Sequence, residues 1–199
     1  MTVGMTGGKT IRGPAPKEEI RVGISSCLLG QNVRYDGGHK KDELVTGLLA
    51  RFVTLVPVCP EVELGLGTPR ETIRLERHGG RVHLVAPESG EDHTESMRLY
   101  AERRVRELER MDLSGYVLKS ASPSCGMERV RVWGEGTSTR TGRGAFARVL
   151  LARLPLLPVE EEGRLHDRPL LESFVERIFG YHLARGVKAA RRPRPRRTR

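Results

Sequence analysis

The sequence predicts an α/β fold: a mainly parallel sheet with helices on both faces and an inserted β-hairpin. Three observations predict it. Short apolar runs at 20–26, 52–58 and 115–119 have strand length and end abruptly in small, polar or turn-forming residues. Segments with helical spacing of apolar residues lie between and after them. The stretch 72–85 instead alternates apolar and polar residues around Gly79-Gly80, a hairpin pattern.

In chain order, the first strand covers 20–26, and a turn-rich loop from Gly30 to Lys40 follows. Asp42 is placed to cap a short helix running to about Arg51, with Leu44, Val45, Leu48 and Leu49 on one face. The second strand is 52–58. Thr72 to Glu76 and Arg81 to Val85 form the hairpin. Met97, Tyr100, Ala101, Val105 and Leu108 share one face of a helix from Thr94 to Met111. The third strand, 115–119, leads into a loop rich in Gly, Thr, Ser and Arg that reaches Gly144. Residues 145–154 read as helix. Leu156 to Val159 fits a brief fourth strand, with Pro158 marking its end or a sheet edge. Asp167 is placed to cap a last helix from Arg168 to about Gly186.

The 199 residues fit one domain, 20–186, between a disordered leader (1–19) and a disordered Arg/Pro-rich tail (187–199). The leader has no apolar region of secretory type. Gly4 to Thr10 imitates a phosphate loop, but Val3 stands where the motif requires Gly and no strand precedes it. No apolar run approaches the length of a membrane span. The last nine residues hold six arginines, more than half of the formal +10. The folded part is therefore only mildly basic, and the tail is either a solvated end or a contact for RNA, DNA or anionic lipid. An odd count of three cysteines argues against a disulfide framework and for a reducing cytoplasm.

Those cysteines carry the chemistry. Cys27, Cys59 and Cys125 each sit where a strand gives way to a loop. In a parallel sheet the carboxyl ends of the strands face one crevice, so thiols far apart in sequence can meet there. Buried cysteines also serve as small apolar residues. The neighbours Ser25-Ser26, Pro60-Glu61 and Ser122-Pro123-Ser124 are more polar than packing alone requires. Three such thiolates suit an iron–sulfur cluster held at three corners. Zinc with His39 or Glu61 as fourth ligand, and a catalytic thiol with a nearby base, are the rivals. Glu61 is a solvated loop charge or a proton relay beside the metal. Ser122 and Ser124 are turn formers or hydrogen-bond donors to substrate. Arg34, Tyr35 and Asp36 are turn residues or contacts for a planar heterocycle.

Three segments together resemble the thiouracil desulfidase family, formerly a bacterial domain of unknown function. They are Ile24 to Gly30 with Val33 to Gly37, Val58-Cys59-Pro60-Glu61 with Gly65 to Arg70, and Leu118 to Gly126. The resemblance spans roughly residues 20–160. It implies a Rossmann-like fold and a 4Fe–4S cluster ligated by Cys27, Cys59 and Cys125. It also implies Glu61 and Ser122 as catalytic residues, and non-redox removal of sulfur from thiouracil or a related thiolated pyrimidine base or nucleotide. Beside what the resemblance implies, the residues themselves offer Ser26, Arg34, Tyr35, Asp36 and Ser124 as candidate substrate contacts. Two other functions fit the same residues: an RNA-binding accessory module with a structural metal, and a zinc-dependent hydrolase.

Overall fold

The computed structural model describes residues 19–190. The leader up to Glu18 and the arginines from 191 onward lie outside them. A four-stranded, wholly parallel sheet runs β2-β1-β5-β8, formed by β1 (Arg21–Ser25), β2 (Thr54–Val58), β5 (Leu113–Leu118) and β8 (Val159–Glu161). Two apolar cores flank it, because alternate side chains of a strand face opposite ways. Val22 and Ile24 of β1 with Val117 of β5 face α1 (Glu43–Leu48) and α5 (Arg168–Ala190). Val56 and Val58 of β2 with Leu113, Tyr116 and Leu118 of β5 face α3 (Thr94–Arg110) and α4 (Ala145–Arg153). A short helix, α2 (Pro60–Leu64), follows β2 directly.

Both expected caps form. Asp42 Oδ1 accepts from Val45 N at 3.0 Å, and Asp167 Oδ1 accepts from Leu170 N at 3.1 Å. The expected hairpin is β3 (Arg74–His78) and β4 (Arg81–Val85), paired antiparallel.

The hairpin is not alone, and here the sequence reading needs correction. Within the presumed loop up to Gly144, β6 (Val130–Trp133) and β7 (Ser138–Gly142) form a second hairpin. β6 pairs parallel with β3, completing a second sheet ordered β4-β3-β6-β7. Val130 and Val132 enter the core, whereas Ser138 to Thr141 are exposed throughout, so β7 has no apolar side to reveal it. The fourth strand of the parallel sheet lies later than expected. Leu156 is exposed, and the strand is Val159-Glu160-Glu161, all buried. The last helix continues to Ala190, beyond the point where the sequence places the start of the tail. Among the described residues no helix is long and apolar enough to cross a membrane.

Candidate functional site

The parallel strands deliver the cysteines to one place. Cys27 lies in a single 3-10 turn after β1, Cys59 lies between β2 and α2, and Cys125 follows β5. All three line one cavity of about 380 Å³, together with Ser26, Arg34, Tyr35, Lys40, Glu61, Arg70, Lys119 and Ser122. The thiols are free; Cys125 is buried and the other two are half-buried.

Burial pushes each thiol up from its ordinary range. Cys27 rises to about 11, with the charge of Lys119 opposing the rise. Cys59 is raised by the same desolvation. Cys125 is raised furthest, against a hydrogen bond from Ser25.

The loop bearing Cys125 is held from two sides. Ser122 Oγ accepts from Ser124 N at 3.2 Å and from Cys125 N at 3.0 Å, closing the turn. The first amides of α4 reach the same loop: Ala145 N donates to Pro123 O, and Phe146 N and Ala147 N donate to Ser124 O. These donors have no partner within their own helix, so the loop satisfies them.

Glu61 sits at the cavity wall with both carboxylate oxygens engaged. Arg70 Nε donates to Oε2 at 3.1 Å, joined by Nη2, and Ser124 Oγ donates to Oε1 at 2.8 Å. Arg34 lies over the Tyr35 ring, 5.3 Å from its centroid, and both line the cavity. Across from them Lys119 Nζ bonds Glu162 Oε1 and both oxygens of Ser120.

Of the residues expected at the site, Ser26, Arg34, Tyr35, Glu61, Ser122 and the cysteines line the cavity. Two expected substrate contacts do not. Ser124 is fully buried and spends its hydroxyl on Glu61. Asp36 holds a turn by accepting from Gly38 N at 3.0 Å. His39 is also outside the lining, and its Nδ1 accepts from Lys41 N at 3.1 Å. Arg70 and Lys119 also line the cavity, and the sequence does not single them out. Arg70 closes the segment Gly65 to Arg70, yet nothing in its local pattern pairs it with Glu61.

Among the described residues no three His, Cys, Asp or Glu side chains form a group able to hold a metal ion. Three thiols lining one cavity nevertheless bring soft donors to a single place.

The fold and the site define an α/β protein with a thiol-lined cavity at the carboxyl ends of parallel strands. The chain belongs to the 2-thiouracil desulfurase family, whose model matches residues 22–162. It is 33% identical over 108 residues to the uncharacterized protein YbbK of Bacillus subtilis (strain 168), covering 52% of this chain and 71% of that one. It is also similar to the solved structure of the 4Fe–4S-dependent thiouracil desulfidase TudS. That likeness has a TM-score of 0.59 at 34% identity and covers 78% of this chain and 99% of TudS.

Proposed function

We propose that this protein is a non-redox desulfidase that converts thiouracil, or a related thiolated base or nucleotide, and water into uracil and hydrogen sulfide. The observation that carries the reading is the meeting of Cys27, Cys59, Cys125 and Glu61 on one cavity. The three thiolates would hold a 4Fe–4S cluster. When bound, such a cluster supplies an iron vertex that prefers a soft thiocarbonyl sulfur and draws charge from the C=S carbon.

The side chains divide the remaining work. Arg34 and Tyr35 offer a cation and a ring face to a flat pyrimidine. Glu61 accepts a proton from the water that attacks the C=S carbon, then returns it to the departing sulfur. Ser122 already accepts two backbone hydrogen bonds, so its own hydroxyl proton is available to a charge developing on the substrate. Three free thiols suit a reducing cytoplasm, where we place the protein.

Anaerobic purification, iron and sulfide analysis, and a sulfide-release assay with thiouracil test the reading. The expected result is iron-containing protein that releases sulfide. Replacing any of the three cysteines with Ala removes the iron, and Glu61→Gln keeps the iron and loses turnover. Protein that releases sulfide with zinc and no iron would replace the cluster reading with metal-assisted hydrolysis. Iron-loaded protein inert towards thiolated bases and nucleotides would overturn the activity.

A further inference from the structure

We infer that Arg70 and Ser124 are positioning residues that together clamp the Glu61 carboxylate for its work on substrate. The inference rests on the proposed role of Glu61. Arg70 is held by contacts: its side chain is only 6% exposed, and that of Glu61 15%. Its guanidinium is fully committed. Nε and Nη2 both reach Glu61 Oε2, Nη1 and Nη2 each donate to Val33 O at 3.0 Å, and Nη1 also donates to Gly67 O at 2.7 Å and Thr68 Oγ1 at 3.3 Å. The backbone N of Arg70 adds a bond to Tyr35 O at 2.9 Å.

The consequence is geometric. One planar group joins the segment carrying Arg34 and Tyr35, the turn at 67–68, and the carboxylate beside Cys59. Ser124 holds the other carboxylate oxygen from the opposite side, on the loop that carries Cys125. A carboxylate gripped at Oε2 by a rigid fork and at Oε1 by a buried hydroxyl cannot rotate freely about its last torsion. The lone pairs left over are then presented in a fixed direction, as general base catalysis requires. An ammonium group lacks the planar fork and its five donors, so lysine keeps the charge and loses the geometry.

The test uses the whole chain, purified anaerobically, as wild type, Arg70→Lys, Ser124→Ala, Glu61→Gln and the double variant Arg70→Lys/Glu61→Gln. Iron content, thermal midpoint, kcat and KM for thiouracil are measured for each. The expected result is roughly a 10- to 100-fold fall in kcat for Arg70→Lys and for Ser124→Ala, on the scale of a small misplacement of a reacting group. Iron content and KM stay at the wild-type values, and the double variant is no slower than Glu61→Gln alone. Wild-type kcat in both single variants overturns the clamp. So does a loss of kcat that merely tracks lost iron, or a further loss in the double variant. If Arg70→Lys does not fold, Ser124→Ala decides alone by the same criteria. A wild-type protein without activity, or an active Glu61→Gln, refutes the parent reading instead and is distinguishable from these outcomes.

Discussion

Burial makes the three thiols costly to ionise, and that cost has a measurable sign. Cys27, pushed up to about 11, carries roughly 100-fold less thiolate at pH 8 than an ordinary cysteine. Iodoacetamide should therefore label metal-free protein slowly, and urea-unfolded protein at the ordinary rate; mass spectrometry of the Cys27 peptide checks this. The stability consequence follows from linkage. The unfolded chain deprotonates first, near the ordinary value of 9.0, so stability present below that pH is lost as pH rises from there towards 11. The urea midpoint of metal-free protein should fall between pH 8 and 10.5. A flat midpoint would show that the thiols ionise alike in both states.

Two close backbone approaches determine how the elements carry the site. Gly23 of β1 lies under the Tyr116 ring of β5, where an added Cβ would sit 2.3 Å from Tyr116 Cδ2. Tyr116 is fully buried and has nowhere to move. Gly23→Ala should destabilise the protein by about 1–3 kcal/mol, the usual cost of overpacking. At this size each kcal/mol lowers the thermal midpoint by about 2–4 °C, which calorimetry reads. Gly144, just before α4, packs against the cysteine loop: an added Cβ would meet the Ser124 carbonyl at 2.5 Å. Gly144→Ala should pull that loop from the amides of α4 and lower iron content, measured on anaerobically purified protein. It tests whether the start of α4 is what seats Cys125.

Across the molecule, the parallel sheet is a scaffold for strand ends, and the second sheet builds out from the cavity rim. Thr72 and Ile73 line the cavity and lead straight into β3. The six arginines after residue 190 stand apart from this machinery in sequence. Removing residues 191–199 should leave turnover of thiouracil unchanged while weakening any salt-dependent binding of RNA. Sulfide-release kinetics and filter binding at two salt concentrations measure the two effects.

Much of this was written locally in the chain. Apolar strands at 20–26, 52–58 and 115–119 each led into a loop or turn carrying a cysteine, and helical spacing marked α3 and α5, because strand and helix periods are short-range properties of a chain. Parallel pairing then brings strand ends to one crevice, so the convergence of the thiols was legible too. Other features had no local mark. β7 has no buried side, and β8 is built on Glu160 and Glu161, whose burial depends on partners such as Arg164 and the Met127 amide. The grip of Arg70 and Ser124 on Glu61 joins residues 9 and 63 positions from it. Polar partnerships of that kind follow no periodicity. They exist only once the sheet has closed and water has been excluded from the groups that meet, so tertiary packing alone decides which charge faces which.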